Sequence, residues 1–168
     1  MVVLLASLSG DLIHAEWPDG HEWKARQPGV AFQNIPDATA PGETPAARLR
    51  QMKEFARQFS ASFDFNQQNK QELRLLAQPL YRYADPEAAV LDGAVFTAAI
   101  NGTNPTAMFL IELQEERERK VWRFGIAAMT DGAVIVNFDA HEVWSKPALH
   151  APGKSFDTWT YFFENPKK

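Results

Sequence analysis

The sequence predicts an α+β fold, mainly an antiparallel sheet of about six to eight strands with one long amphipathic helix packed on it. Three observations lead to this prediction. Short segments rich in branched and aromatic residues alternate with turn residues along most of the chain. One segment repeats apolar residues at helical spacing. The most strand-like stretch, residues 121–144, carries Asp131-Gly132 at its centre, which is typical of a tight turn.

Residues 121–144 are therefore predicted to form an antiparallel hairpin in the middle of the core. In its second half Val134 and Val136 take one face, while Ala133, Ile135 and Asn137 take the other. This mixed alternation is typical of a strand that is covered on part of both faces. The stretch indicates architecture and gives no indication of chemistry.

The helix is predicted over residues 45–62. Thr44 is suited to accept the N-cap hydrogen bond, and Pro45 occupies the first helical position. Apolar residues then recur at three- and four-residue steps, with charged residues on the other side. We expect four of them to be buried against the sheet, as ordinary packing and not as a cofactor site: Met52, Phe55, Phe59 and Phe63.

The chain is predicted to be a single domain over residues 1–168. Residues 1–27 read as a β-hairpin, with strands at 2–17 around a turn at Ser9-Gly10-Asp11. Residues 28–44 read as an extended linker, and residues 45–168 as the helix plus the antiparallel sheet. Within that last part, the apolar strands 94–100 and 108–113 are placed centrally under the helix.

The first hairpin matches the one at 126–144 in residue class, without gaps. The aligned pairs include Leu5 with Ile126, Ile13 with Val134, Ala15 with Val136, Trp17 with Phe138 and Trp23 with Trp144. Two unrelated hairpins with similar turns can agree as well as this. The preferred interpretation is an internal repeat, with residues 1–27 as the remnant of a truncated first unit. That hairpin should then lie in or against the same sheet as 121–144, and leave a strand edge open to a protein partner or homodimer.

The most specific string lies at 74–83 and reads Arg-Leu-Leu-Ala-Gln-Pro-Leu-Tyr-Arg-Tyr. Further strings are Asp-Gly-Ala-Val-Phe at 92–96, Gly-Thr-Asn-Pro at 102–105 and Glu-Val-Trp-Ser at 142–145. In these strings, and over nearly its whole length, the chain resembles an uncharacterised bacterial family of unknown function. Because no activity is known for that family, the resemblance implies no catalytic residue. Longer relatives carry a preceding unit, so the resemblance also implies that this chain is truncated at its N-terminus.

Composition argues against several classes of function. The net charge is −4 and lysine and arginine cluster only in the mixed run 115–120, so no nucleic-acid partner is expected. The absence of cysteine excludes disulfides, thiolate metal sites and cysteine nucleophiles. No apolar stretch reaches the roughly 18 residues of a membrane span. We expect a soluble protein, with the cytoplasm favoured over secretion.

The sequence shows no glycine-rich phosphate loop, nucleophile elbow or paired helical histidines. We therefore predict no catalytic residue, metal or cofactor. His21 and His141 could bind a metal together with Asp19 or Asp139, but histidines at turns are more often solvated. Asp139, His141 and Ser145 would be a triad only if the fold brought them together.

Three other features have both a functional and a structural explanation. Asp92 could act as a general base, although an Asp-Gly turn explains it sterically. Asn101-Gly102-Thr103 matches an N-glycosylation acceptor, although Asn-Gly is also a favoured hairpin turn. An aromatic platform for sugars or a peptide could form, although aromatic residues on strands are usually core. Its members would be Tyr81, Tyr83, Trp122, Trp144 and Trp159.

Two functional hypotheses of different class follow. The first is a non-catalytic interaction or regulatory domain that binds a protein or other ligand through an aromatic face or an open strand edge. The alternative is a hydrolase-type enzyme in which an acidic residue and a histidine meet in a cleft. Asp139 or Asp92 within hydrogen-bond reach of a histidine would favour the enzyme, and an occupied sheet edge would favour the binding domain.

Overall fold

A computed structural model describes residues 2–6, 13–16, 20, 22–25, 29–64, 69–102, 104–117, 119–148 and 159–163. These residues form one α-helix and thirteen β-strands. In chain order they are β1 (Val2–Ala6), β2 (His14–Glu16), β3 (Glu22–Lys24), β4 (Gln33–Asn34), α1 (Pro45–Gln58), β5 (Phe59–Asp64), β6 (Gln71–Leu75), β7 (Tyr81–Asp85), β8 (Val90–Ala99), β9 (Ala107–Glu116), β10 (Arg119–Ala128), β11 (Ala133–Phe138), β12 (His141–Lys146) and β13 (Trp159–Phe163). The predicted class, α+β with mainly antiparallel strands, is confirmed. No helix among these residues has the length and apolar character that crossing a membrane requires.

The helix has 14 residues and is shorter than predicted. It begins as expected, because Thr44 Oγ1 accepts a hydrogen bond from Ala47 N at 3.1 Å and Pro45 follows the cap. It ends at Gln58, because residues 59–64 read Phe-Ser-Ala-Ser-Phe-Asp and alternate strictly between apolar and polar. Phe59 and Phe63 fit a helical step and a strand alternation equally well, and the strand pairing of β5 prevails.

The main sheet contains nine antiparallel strands, more than predicted. Its order is β12-β11-β5-β6-β8-β9-β10-β4, and β7 pairs with β8 off this path. Both β6 and β7 pair with β8, one after the other along the same edge. Residues 76–80 separate these two short ladders. The predicted strands 94–100 and 108–113 are β8 and β9, and they lie within the sheet as expected.

The predicted hairpin over 121–144 is wrong. The strand β10 pairs with β9 and β4, whereas β11 pairs with β5 and β12. Neither Asp131 nor Gly132 has the positive φ that a tight hairpin turn requires. Gly132 is needed for space instead, because an added Cβ would lie 2.2 Å from Phe63 Cε2.

Residues 129–132 connect two strands that are far apart in the strand order, so the sheet must curl until they meet. The aromatic core shows this directly. Phe59 on β5 contacts Phe109 on β9, Phe124 on β10 and Phe138 on β11, with ring centroids 4.9–5.1 Å apart. The helix packs inside the curl, where Met52 and Phe55 are buried and Phe55 meets Trp122 edge-on at 5.4 Å. Phe59 is buried as predicted, and Phe63 is only half-buried.

The N-terminal strands do not form the predicted hairpin over 2–17. The strand β1 pairs with β13 over five residues and β2 pairs with β3 over three, in two separate small sheets. The predicted turn at Ser9-Gly10-Asp11 lies outside the described residues. The predicted internal repeat of residues 5–23 and 126–144 is not confirmed and stays a prediction.

The segment predicted as a linker, 28–44, contains β4, which extends the main sheet beyond β10. Val30 and Ile35 are buried. Val30 and Phe32 lie over Gly125 of β10, where an added Cβ would be 2.3 Å from Val30 Cγ1. This segment therefore covers one face of β10 and also provides one of the two end strands of the curled sheet.

Candidate functional site

The turn between β11 and β12 is the most unusual local structure near the end of the helix. Phe138 pairs with His141, so Asp139 and Ala140 form a two-residue turn with φ values of 46° and 65°. Neither residue is glycine, and the left-handed region costs an L-residue roughly 1–2 kcal/mol. Asp139 N donates to Gln58 O at 3.1 Å, which fixes this turn against the last residue of α1.

A cleft of about 480 Å³ opens beside this turn. Its size lies within the range of roughly 300–1,000 Å³ that is typical of ligand pockets. It is enclosed by the end of α1, the segment after β4, and the β11–β12 turn. The lining residues are Pro36, Asp37, Thr39, Glu54, Phe55, Gln58, Phe138, Asp139, His141 and Val143. We refer to this as the helix-end cleft.

The helix-end cleft combines an apolar floor with an acidic rim. Phe55 and Phe138 are almost fully buried, with 7% and 5% of their surface exposed. Three carboxylates line the cleft, those of Asp37, Glu54 and Asp139, and no described lysine or arginine does. Asp37 also has a positive φ, of 49°. Left-handed non-glycine residues thus lie on both sides of the cleft, and such strain is concentrated at functional sites in many proteins.

His141 has a defined tautomer in this cleft. Its Nδ1 lies 2.9 Å from the backbone carbonyl oxygen of Asp139. Because a carbonyl oxygen only accepts, Nδ1 carries the hydrogen, and Nε2 of the neutral ring is the nitrogen with a free lone pair. The carboxylate of Asp139 is not the partner of the ring in this contact.

The two end strands of the curled sheet approach each other beside the same cleft. Gln33 Nε2 on β4 donates to Val143 O on β12 at 3.4 Å, across 110 residues of sequence. The two strands share no ladder. A glutamine side chain, and not a backbone ladder, joins them. The curled sheet is therefore not closed by pairing between β4 and β12, and we refer to the gap between these two strands as the seam.

The structure does not assemble the triad that Asp139, His141 and Ser145 would form. Ser145 lies four residues beyond His141 on β12, which corresponds to roughly 13 Å along a strand. Among the described residues, no group of three His, Cys, Asp or Glu side chains is placed to hold a metal. The other two residues of the conceivable metal site, Asp19 and His21, lie outside those residues.

Asp92 has a structural role and is poorly suited to act as a base. It lies within β8, with 4% of its surface exposed. Arg48 Nε donates to Oδ2 at 2.7 Å, and Arg82 donates to both oxygens at 2.7 and 2.9 Å. Burial alone would raise the pKa of Asp92, but the hydrogen bonds from Arg82 and Arg48 outweigh it and lower that pKa. Arg82 also donates to Pro45 O at 2.7 Å, so the cluster ties the start of α1 to the sheet.

The five aromatic residues of the predicted platform do not form one surface. Trp122 is core, and Trp144 is partly buried against the core. The Trp159 side chain lies outside the described part of the structure. Tyr81 and Tyr83 do stack, with centroids 6.1 Å apart, and Tyr81 is 66% exposed. At the glycosylation match, Gly102 has a φ of 60°, which supports the turn explanation, and Thr103 is not described.

A polar row across β7, β8 and β9 was missed by sequence reasoning. Tyr83 is opposite Gly93, and Gly93 is opposite Glu112. An added Cβ on Gly93 would lie 2.8 Å from the Tyr83 ring, so the ring lies over this glycine. Tyr83 Oη then reaches Glu112 Oε1 at 2.6 Å. Burial raises the pKa of Tyr83 and that of Glu112. No local signal in the sequence identified a partner for Tyr83 two strands away.

Comparison of the chain with protein-family models, with curated proteins and with solved structures finds no match. The resemblance to a bacterial family through the strings at 74–83, 92–96, 102–105 and 142–145 therefore stays a prediction.

Proposed function

We propose that this protein is a non-catalytic interaction domain that binds an extended segment of a partner protein in the seam between β4 and β12. The seam itself carries the proposal. Both strands end the same curled sheet, and a single side-chain hydrogen bond, from Gln33 to Val143, joins them. An extended peptide that adds to β12 would gain main-chain hydrogen bonds there, which is a common mode of peptide recognition.

The position of the seam beside the helix-end cleft supports this proposal over other strand edges. The strand β7 is also paired on one side only among the described residues, with Leu80 and Tyr81 exposed beside it. The lining of the helix-end cleft contains residues of β11 and β12 and none of the described residues of β7. At β12 a partner strand would place its side chains directly into the cleft through Val143, which combines main-chain pairing with a specific pocket.

Selection from a phage-displayed random heptapeptide library tests the proposal. We expect enriched clones that bind the wild-type protein and lose binding to Val143→Lys, since a charged residue on an edge strand opposes strand addition. Because Val143 packs partly against the core, Ser145→Lys serves as a second variant at an exposed position of the same strand. Ser60→Lys is the matched control, because Ser60 is exposed but lies on β5, which is paired on both sides.

If no clone is enriched, or if enriched clones bind both β12 variants as well as they bind Ser60→Lys, the proposal fails. Sedimentation of the free protein covers a second possible occupant. A dimer that dissociates in both β12 variants would show that another copy of the chain fills the seam, and would replace the partner protein in this proposal.

A hydrolase with an Asp/His site is the alternative function. It is favoured by His141, whose Nε2 is available as a base and which lies in a cleft together with the hydroxyl of Thr39. Turnover of generic ester, phosphate or glycoside substrates by the purified protein would support it, provided that His141→Ala abolishes the turnover. We expect no turnover, because the Asp139 carboxylate does not contact the ring in the structure.

A further inference from the structure

We infer that the bound segment presents a lysine or arginine side chain to the helix-end cleft. This inference rests on the proposed function, because the seam beside β12 is what brings a peptide to the cleft. It adds the chemistry of the side chain that is recognised there.

The carboxylates of the cleft have no cationic partner within the described part of the chain. Asp37, Glu54 and Asp139 line the cleft together, and none of them belongs to an ion pair among the residues that the structure describes. Among the residues that the structure describes, no lysine or arginine lines the cleft. Carboxylates that share a concave site without a cation create a negative potential, which attracts a positively charged group and repels an acidic one.

The carbonyl groups at the end of the helix contribute to this negative potential, and Arg57 in the same last turn offsets part of it. The lining includes Glu54, Phe55 and Gln58, which belong to the last turns of α1. The C-terminal end of a helix carries a partial negative charge from carbonyl groups without intrahelical partners. The Gln58 carbonyl accepts from Asp139 N, so the turn that carries one of the carboxylates is anchored directly at this helix end.

The floor of the cleft matches the rest of such a side chain. Phe55, Phe138 and Val143 offer apolar surface below the carboxylates. Lysine and arginine carry an aliphatic stem below a charged head, and they therefore fit an apolar floor with an acidic rim. A purely apolar side chain would fill the floor but would desolvate the carboxylates without replacing the lost water contacts.

The peptides that are selected on the wild-type protein test this inference. We expect lysine or arginine to be enriched at one fixed position of the clones that depend on the β12 edge. A synthetic peptide with norleucine in place of that residue should bind about tenfold more weakly, because a charge-assisted contact is lost. A peptide with glutamate there should bind more weakly still.

The triple variant Asp37→Asn/Glu54→Gln/Asp139→Asn removes the charge and keeps the shape. Asparagine tolerates the positive φ at positions 37 and 139 well, so both turns should be retained. This variant should bind lysine and norleucine peptides equally. Glu72→Gln, at an exposed position of β6, is the control and should keep the preference for lysine.

The two proposals fail separately. Edge-dependent clones without enriched lysine or arginine, or an unchanged lysine preference in the triple variant, would overturn the inference and leave the interaction domain intact. An absence of edge-dependent clones would overturn the proposed function itself.

Discussion

Tyr83 on β7 donates a 2.6 Å hydrogen bond to Glu112 on β9, across the intervening strand β8. The bond is possible because β8 has Gly93 at the crossing point, and the ring occupies the space where a side chain would be. The ring thus covers the glycine and its hydroxyl satisfies a buried carboxyl group, which has 7% of its surface exposed. The Tyr83 side chain therefore connects β7 to β9 across β8.

Tyr83→Phe should destabilise the protein by about 1–3 kcal/mol, because it leaves Glu112 buried without its hydrogen-bond donor. The stacked neighbour provides a matched control. Tyr81 is largely exposed, and Tyr81→Phe should change the free energy of unfolding by no more than about 0.5 kcal/mol. Urea denaturation of both variants measures the difference. Equal effects would show that the Tyr83–Glu112 bond contributes nothing to stability.

Glu112 should also make stability depend on pH. Burial raises its pKa above the ordinary 4.5, although the Tyr83 bond and the Arg123 charge oppose this. The folded state therefore holds this proton more tightly than the unfolded state does. The resulting contribution to stability is fully present below about pH 4.5 and is lost as the pH rises through the folded-state pKa.

Glu112→Gln cannot titrate but keeps an oxygen that accepts from Tyr83. The free energy of unfolding of this variant, relative to the wild-type protein, should therefore increase between pH 4.5 and pH 7. Urea denaturation at both pH values measures it. A difference between the two proteins that does not vary with pH would rule out Glu112 as the titrating group.

The Asp-Gly pairs illustrate what the sequence could and could not predict. Both Asp92-Gly93 and Asp131-Gly132 were interpreted as turns, since this dipeptide tolerates positive φ. In the structure both glycines instead provide space for an aromatic ring, Tyr83 in one case and Phe63 in the other. Local sequence identifies a residue without a side chain, but a ring that arrives from another strand leaves no local trace.

The confirmed parts of the fold follow from local sequence periodicity, whereas the incorrect parts depend on which strands pair. The helix start and the buried faces of β8 and β9 follow from local patterns, and both were predicted. The pairing of β10 with β9 and β4 depends on residues far away in sequence, and the predicted hairpin failed there. The helix-end cleft also depends on contacts between residues that are far apart in sequence. Asp139 and His141 were recognised as candidates, but Glu54 and Asp37 join them only through the curl of the sheet.

Asp92→Asn should lower the free energy of unfolding by about 3 kcal/mol, because it leaves Arg48 and Arg82 without their shared carboxylate in a partly buried site.

The wild-type protein should also lose stability in acid. Because the pKa of Asp92 is lowered from 3.8, its contribution is present above about pH 3.8 and is lost as the pH falls through the folded-state pKa. Acid titrations of both proteins measure this, with Glu72→Gln as the surface control. A parallel acid transition in Asp92→Asn would contradict the assignment.

The same substitution should have opposite effects at two alanines. Ala140 has a φ of 65°, so Ala140→Gly relieves backbone strain and should stabilise the protein by about 0.5–1 kcal/mol after the entropy of glycine is subtracted. Ala46 is exposed in the first turn of α1, and Ala46→Gly should be destabilising. Thermal denaturation compares the two. Loss of stability at both positions would show that the β11–β12 turn stores no relievable strain.

Gln33 should compete with any peptide that enters the seam, because its side chain holds the Val143 carbonyl that an added strand would use. Gln33→Ala removes this competitor, whose net worth is about 0.5–1.5 kcal/mol, and should tighten binding of an edge-dependent peptide about two- to tenfold. Asn34→Ala, on the same short strand, is the control and should leave the affinity unchanged. Isothermal titration of one selected peptide against the three proteins measures the effect. Weaker binding to Gln33→Ala would contradict this prediction. It would mean that Gln33 contacts the peptide directly and does not compete with it for the Val143 carbonyl.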